Sequence, residues 1–247
     1  MKKILLTSSL VALGVSQLAF SGEEMAPVVD ISAPSSSPWT LGIEALYLKA
    51  HSNDSSIYDG QDEEFAYRVN LAYKSGDNLG IRLSYFDFEG TQHSSSSEFS
   101  EDGPDIGAID LVLFDNFTLG SWQGEYSFGI RHVDFEEPFE DSLDSDFDGW
   151  GPTVGLELVR PISDRFSVYA SAQVSLLFGD NDVNNDDSTA SMIELALGIQ
   201  YDFAMGDCES NIRLGIEAQD YQGLAYEDVE DDQAGAFGGV LGLNFSF

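Results

Sequence analysis

Ten charged residues recur inside segments that are otherwise apolar at alternate positions. Successive side chains of a β-strand point to opposite faces, so all ten are predicted to share the face opposite the apolar rows. Four are positive and six are negative: Arg68, Arg82, Arg131, Arg213, Glu44, Asp110, Glu125, Glu157, Glu194 and Glu217. If that face encloses water, they line a passage whose acidic excess favours cations. If it is closed, they form a plug of ion pairs, because an unpaired buried charge costs several kcal/mol.

A second motif has the chemistry of a calcium site. Asp144, Asp146 and Asp148 precede Gly149 in the D-x-D-x-D-G pattern that opens a calcium-binding loop. The twelfth position is Gly155, where a bidentate Glu is usual. We therefore expect at most loosely bound Ca²⁺, with diffuse divalent binding favoured over a specific site. No other cofactor is expected.

Catalytic chemistry has weak support in the sequence. His132 and Asp134 stand near the end of one alternating segment, but no nucleophile motif accompanies them. We predict that the protein is not an enzyme, with a hydrolase at the rim of the fold as the least favoured alternative.

The composition excludes one class of partner and supports a folded chain. The 247 residues contain 10 Lys and Arg against 44 Asp and Glu, a net charge of −34. Nucleic acid is not an expected partner, because its phosphates require clustered basic residues. The chain is 43% hydrophobic and 12% aromatic, which is enough apolar surface for a folded domain.

The N-terminal residues predict export. Lys2 and Lys3 precede an apolar stretch, and Ala19–Ser21 has the small-x-small form of a cleavage site. We predict a signal peptide at 1–21, a flexible linker at 22–38 and one domain at 39–247. The single cysteine, Cys208, has no partner for an internal disulfide.

Alternation with period two organises the whole domain. It predicts ten strands, each long enough to cross a bilayer at a tilt. Their expected ranges are 39–50, 64–74, 79–89, 105–115, 122–134, 149–160, 165–178, 190–203, 209–221 and 235–247.

The predicted connections alternate between long and short. The five long ones, 51–63, 90–104, 135–148, 179–189 and 222–234, contain 23 of the 44 acidic residues and no Lys or Arg. Long outer loops opposite short periplasmic turns, with an even number of strands, are typical of an outer-membrane barrel. The predicted fold is an all-β transmembrane antiparallel up-and-down barrel of about ten strands, and a soluble sandwich is the less favoured alternative. The loop acids would attract cations, or they are a solvated surface, as in proteins adapted to salt.

Apolar rows and aromatic residues mark the predicted lipid face. The rows on the third, seventh and eighth strands carry no charge, as hydrocarbon requires. Aromatic residues are expected at one interface (Trp39, Trp122, Phe203, Phe245, Phe247) and at the other (Tyr47, Trp150, Phe178, Tyr221).

The last strand ends in a candidate assembly signal. Gly242, Phe245 and Phe247 follow the pattern Gly-x-x-Φ-x-Φ at the chain terminus, where Φ is hydrophobic or aromatic. The pattern resembles the β-signal by which the barrel-assembly machinery recognises its substrates.

Several strand motifs resemble one family. They are the segments 41–49 (LGIEALYLK), 128–131 (FGIR), 149–157 (GWGPTVGLE), 166–171 (FSVYAS) and 214–219 (LGIEAQ). They are similar to strands of the Legionella major outer-membrane protein family of pore-forming barrels. The resemblance implies a porin-like role in the outer membrane of a Gram-negative-type bacterium.

Two functions follow from these observations. The first is passive, cation-favouring passage of small solutes through a narrow lumen. The second is a non-conducting barrel with a structural or adhesive role through its acidic loops. Expected partners are outer-membrane lipid, lipopolysaccharide, the barrel-assembly machinery and small solutes or cations, and the sequence leaves the oligomeric state open.

Overall fold

The computed structural model describes residues 38–52, 63–91, 102–137, 145–181, 186–206, 208–223 and 233–247. The predicted signal peptide, almost all of the linker and most of the long connections lie outside these residues. Ten strands are present: β1 (Trp39–Ser52), β2 (Glu64–Tyr73), β3 (Gly80–Thr91), β4 (Asp102–Leu119), β5 (Trp122–Glu137), β6 (Ser145–Pro161), β7 (Phe166–Asn181), β8 (Asp186–Met205), β9 (Cys208–Gln222) and β10 (Gln233–Ser246). No helix among the described residues is long and apolar enough to span a membrane.

The ten strands close into one antiparallel barrel in sequence order, which confirms the predicted fold class. The first and last strands pair along their length, from Thr40 opposite Ser246 to Ser52 opposite Ala234. At the end of this seam, the Trp39 and Phe247 backbones exchange two hydrogen bonds of 3.3 and 3.0 Å. Closure gives each strand a neighbour on both sides, which lipid requires because hydrocarbon cannot satisfy a free strand edge.

Short and long connections lie at opposite ends of the barrel. The end with the connections at 74–79, 120–121, 162–165 and 206–207 is called the short-turn rim, and the opposite end the long-loop rim. The predicted strand boundaries were wrong mainly at the long-loop rim. The 18 residues of β4 and the 20 residues of β8 both extend beyond the predicted ranges there.

Near the long-loop rim, the outward side chains of the barrel wall change from apolar to acidic. Along most of β3 and β4 the outward side chains are exposed and apolar, as at Leu83 and Leu111. Beyond Tyr85 and Ile109 the outward positions carry acids instead. Among the described residues, acids of this kind occur on six strands: Asp87, Glu89, Asp105, Asp134, Glu136, Asp148, Asp180 and Asp220. A wall that becomes acidic faces water, so the belt of apolar side chains marks the membrane-spanning part of the barrel.

At the same level, the side chains that face the barrel interior change from polar to apolar. Inside the apolar belt the interior is polar, whereas behind the acidic wall it contains 18 buried apolar residues, called here the apolar core. They are Leu46, Leu48, Ala50, Ala66, Phe86, Phe88, Ile106, Ala108, Val133, Phe135, Phe147, Leu177, Ala190, Met192, Tyr221, Ala234, Ala236 and Val240. This part of the barrel therefore has the polarity of a soluble protein, with water outside and apolar side chains inside.

One aromatic assignment was wrong. Tyr221 was predicted to face lipid, but it is 2% exposed and belongs to the apolar core. It has the same parity in β9 as the inward residues Glu217 and Gln219, so it points into the barrel with them. Tyr47, Trp150 and Phe178 are exposed on the outer wall.

Candidate functional site

A polar vestibule occupies the barrel interior next to the short-turn rim. Its volume is about 950 Å³, and Pro38, Gly76 and Asp77 at the rim are among the residues that line it. Nine of the ten predicted inward charges line it as well: Glu44, Arg68, Arg82, Asp110, Glu125, Glu157, Glu194, Arg213 and Glu217. The tenth, Arg131, is 2% exposed and lies behind Asp110 and Glu194, with which it forms ion pairs.

A network of ion pairs crosses the lumen at the inner end of the vestibule. Arg68 contacts carboxylates from three strands, at 2.7 Å for Glu44, 2.7 Å for Glu217 and 3.3 Å for Glu194. Glu194 extends the network, because its Oε2 lies 2.7 Å from Arg131 Nη1. Two guanidinium groups thus hold four carboxylates at the level where the polar interior ends.

Arg131 forms the most enclosed contact of this network. Its Nε and Nη2 donate to the two oxygens of Asp110 over 2.6 and 2.7 Å. Such a bidentate pair fixes both side chains and is stronger than a single charged hydrogen bond.

Further ion pairs lie closer to the short-turn rim. Arg82 contacts Glu125 at 2.7 Å, and Arg213 donates to both oxygens of Glu157 over 2.9 and 2.6 Å. At the mouth, Lys74 Nζ lies 2.7 Å from Asp115. The predicted inward charges are therefore paired with one another, and the space of the vestibule lies between the pairs.

Part of the space opposite small inward residues is filled by aromatic rings. The Tyr169 ring packs over Gly198 and Gly215, and the Phe114 ring covers Gly80, so that a Cβ at any of these glycines would collide with a ring. Arg213 also packs against Tyr169, with its Cζ 5.0 Å from the centroid of the Tyr169 ring. The glycines thus leave room for side chains from other strands, in addition to any role in strand curvature.

The apolar core lies between the ion-pair network and the long-loop rim. All ten strands contribute to it. Tyr221 forms the boundary: its hydroxyl donates to Gln219, whose Nε2 donates to Glu217 Oε1 over 2.6 Å. The void next to Phe88, Phe135 and Tyr221 is about 10 Å³, which is at the lower limit for a single water molecule.

Sequence reasoning missed this core, although the sequence contains a signal for it. In the segment Phe86-Asp87-Phe88-Glu89 the acids occupy the outward positions and the aromatics the inward ones. The same reversal occurs at Val133-Asp134-Phe135-Glu136. Polar and apolar residues still alternate in both segments, but the polar ones now face outward and the apolar ones inward. This exchange of faces marks the end of the membrane-spanning part.

The calcium motif lies only partly within the described residues. Asp144 falls outside them, whereas Asp146 and Asp148 belong to β6 and pair in register with Glu136 and Asp134. Among the described residues, no group of three His, Cys, Asp or Glu side chains is placed to hold a metal ion. Loosely bound Ca²⁺ stays a prediction.

His132 lies on the outer wall, away from the vestibule. Its Nε2 is 2.7 Å from Asp148 Oδ1, so its carboxylate partner is Asp148 and not Asp134. Its ring centroid is 4.3 Å from that of Trp150. This arrangement is typical of an interfacial side chain held against an aromatic residue.

Asp105 on the acidic wall has a shifted pKa. Asp105 stands beyond the apolar belt, directly opposite Glu89 on β3 and Glu136 on β5. Partial burial and the negative charges of Asp87, Glu89, Glu136 and Asp134 raise the pKa of Asp105 to about 6. Like charges at directly opposite positions destabilise a strand pair.

Comparison with known proteins agrees with this architecture. The family model described as "Legionella pneumophila major outer membrane protein precursor" matches residues 125–235, from the start of β5 to the start of β10. The match confirms the predicted resemblance. Together with the closed barrel and its apolar belt, it places the protein in the outer membrane of a Gram-negative bacterium. No curated protein matches the chain.

Solved barrels resemble the chain only distantly. Neisserial surface protein A is 12% identical, with 85% of this chain and 97% of that chain covered and a TM-score of 0.41. The N-terminal β-barrel domain of Pseudomonas aeruginosa OprF is 14% identical, with coverage of 84% and 97% and a TM-score of 0.37. The β-domain of the Bordetella autotransporter BrkA is 14% identical, with coverage of 85% and 99% and a TM-score of 0.42.

Proposed function

We propose that this protein is a non-conducting outer-membrane barrel that presents acidic loops at the cell surface. The observation that carries the proposal is the apolar core, to which every strand contributes and which lies across the lumen beyond the vestibule. A hydrated ion that crossed this layer would lose its water without gaining polar partners, because a narrow apolar constriction excludes water. The vestibule is then a blind chamber that opens at the short-turn rim.

The acidic surface supports a structural or adhesive role. The connections 53–63, 92–101, 138–144, 182–185 and 223–232 carry 15 of the 44 acidic residues, and the outer wall next to them carries further acids such as Asp87 and Asp134. This concentration of charge attracts cations and repels polyanions. Divalent cations held there, including loosely bound Ca²⁺, would bridge the loops to lipopolysaccharide phosphates. Gly242, Phe245 and Phe247 would present the chain to the barrel-assembly machinery.

A second function, cation-favouring passage of small solutes, is supported by the vestibule. Its 950 Å³ is lined by more carboxylates than basic groups. Passage by this route requires the apolar core to separate, because the core lies between the vestibule and the long-loop rim. The two functions therefore differ in whether the core opens.

Single-channel current separates the two functions. The refolded full chain is placed in a planar bilayer under a salt gradient, and insertion is checked by protease resistance. We expect no conductance steps from the parent chain. The double variant Phe88→Ser/Phe135→Ser, which places polar side chains in the core, is expected to give cation-selective steps, whereas the lipid-facing control Phe128→Ser is not. Stepwise current from the parent chain would overturn the closed lumen and favour passage.

A further inference from the structure

Two arginines stand on the outside of the barrel at the short-turn rim. Arg160 is near the end of β6 and Arg165 is in the turn that follows, and both side chains are exposed. Arg160 lies over the ring of Trp122, with its Cζ 5.5 Å from the ring centroid. Arg165 donates from Nη1 to Tyr201 Oη over 3.1 Å. Aromatic residues thus hold both guanidinium groups at the level where lipid head groups meet the barrel.

The positive charge of these two arginines is not matched by an ion pair. The other four arginines of the chain each form ion pairs of 2.6 or 2.7 Å inside the barrel. Within the part of the chain that the structure describes, neither Arg160 nor Arg165 forms such a pair. Asp164, next to Arg165 in the chain, acts on it electrostatically without reaching ion-pairing distance. Both guanidinium groups therefore retain donors for an external anion.

A shallow groove lies in the apolar belt, separated from the short-turn rim by Val168, the in-register neighbour of Arg160. Ala170 and Ala172 on β7 face lipid. Their in-register neighbours are leucines on both sides: Leu158 and Leu156 on β6, Leu197 and Leu195 on β8. Since adjacent strands are about 4.8 Å apart, the two leucine columns stand roughly 10 Å apart, with the alanines as the floor between them. A single hydrocarbon chain fits between such columns.

We propose that the short-turn rim of β5 to β8 binds the phosphate of an anionic phospholipid. Arg160, held on the β5 side, and Arg165, held on the β8 side, supply planar guanidinium donors that suit phosphate oxygens. The alanine groove holds one acyl chain of the same lipid. The opposite end of the wall carries acids such as Asp87 and Glu136, which repel phosphate, so the site belongs to the leaflet at the short-turn rim.

Lipid retention in native mass spectrometry tests the proposal. The refolded full chain is mixed with equal amounts of phosphatidylglycerol and phosphatidylcholine in detergent micelles. We expect the parent to retain phosphatidylglycerol preferentially. We expect Arg160→Gln and Arg165→Gln each to lower that retention about fivefold, because a basic residue near an anionic surface contributes roughly 1 kcal/mol. Equal retention of the two lipids by the parent, or unchanged retention by the double variant, would overturn the proposal.

Control variants and competition with inorganic phosphate test where the lipid binds. Lys49→Gln removes an exposed cation near the long-loop rim and is expected to leave retention unchanged. Ala170→Leu/Ala172→Leu fills the groove without changing charge and is expected to lower retention. Excess inorganic phosphate is expected to leave the lipid bound, because the groove contributes to binding. Complete displacement by inorganic phosphate would show a site for free phosphate and contradict a lipid site.

A second measurement leaves the arginines in place. Trp39→Phe/Trp150→Phe leaves Trp122 as the single tryptophan of the chain. We expect brominated phosphatidylglycerol to quench its fluorescence at least twofold more than brominated phosphatidylcholine does. Equal quenching by the two lipids would contradict the site, even if the arginine variants fail to fold.

Discussion

At the scale of single residues, the inward charges differ in how deeply they are enclosed. The side chain of Arg131 is 3% exposed and bridges Asp110 and Glu194, whereas that of Arg82 is 27% exposed and forms its ion pair with Glu125. Removal of one member of a buried pair leaves an uncompensated charge, and the side chains of Asp110 and Glu194 are each only 10% exposed. These two arginines should therefore contribute very differently to stability.

Arg131→Met is expected to lower the free energy of unfolding by about 3–5 kcal/mol. Arg82→Met serves as the matched control and is expected to cost about 1 kcal/mol or less, because Glu125 keeps access to water. Urea unfolding of the refolded barrel in micelles, followed by tryptophan fluorescence, measures both values. Equal losses for the two variants would contradict the difference in enclosure.

The raised pKa of Asp105 predicts that its contribution to the stability of the barrel decreases as the pH rises. A carboxylate with a lowered pKa has the opposite effect. Because the pKa of Asp105 is raised to about 6 from 3.8, the folded barrel holds this proton more tightly than the unfolded chain does. The contribution to stability is therefore present at low pH and decreases as the pH rises through about 6. Asp105→Asn is expected to stabilise the barrel at pH 7.5 and to reduce the difference in unfolding midpoint between pH 5 and pH 7.5. Asp77→Asn, in a turn at the other rim, is the control, and an equal reduction from it would argue against a local origin.

At the scale of elements, the strands from β3 to β7 have two segments of opposite polarity. Next to the short-turn rim they are apolar outside and polar inside, and near the long-loop rim they are acidic outside and apolar inside. On β3 the change falls between Tyr85 and Asp87. The boundary of the membrane-spanning part can therefore be read from the polarity of the outward residues.

A lysine scan along β3 tests this boundary. Leu83→Lys places a charge in the apolar belt and is expected to destabilise the barrel by about 2–4 kcal/mol. Glu89→Lys lies beyond the belt, faces water and relieves repulsion with Asp105, so no loss of stability is expected. The measurement is the free energy of unfolding from lipid vesicles. A comparable loss at both positions would place Glu89 within the bilayer.

Strand number and inward face could be predicted from the sequence because alternation depends only on local geometry. The inward position of Arg68 and Glu217 follows from parity, but their contact depends on the closure of the barrel, because six strands lie between β2 and β9 in the chain. The same limit applies to Glu194, whose two arginine partners come from β2 and β5. Tyr221 was assigned to lipid from its residue type, although its parity with Glu217 indicates the interior. The apolar core was missed because the expected lumen was polar along its whole length.

At the scale of the whole molecule, the barrel combines a polar vestibule at the short-turn rim with an apolar core toward the long-loop rim. Ten strands enclose a narrow lumen that side chains can fill. The ion-pair network fills the middle of that lumen, and the apolar core fills the part beyond it. This arrangement supports the proposed role of a barrel that acts through its surface loops and not through passage of solutes.

Access to the vestibule from each side of a membrane tests the closed lumen most directly. Asn70 lines the vestibule, and the native Cys208 lies at the short-turn rim, so Asn70→Cys/Cys208→Ser moves the single thiol from the rim into the chamber. Both chains are refolded into vesicles and treated from outside with a small, impermeant, positively charged thiol reagent. We expect the same labelled fraction for both chains, namely the molecules whose short-turn rim faces outward, and full labelling after the vesicles are permeabilised. Full labelling of the Asn70→Cys thiol in intact vesicles, with partial labelling of Cys208, would show a continuous path through the apolar core and contradict the closed barrel.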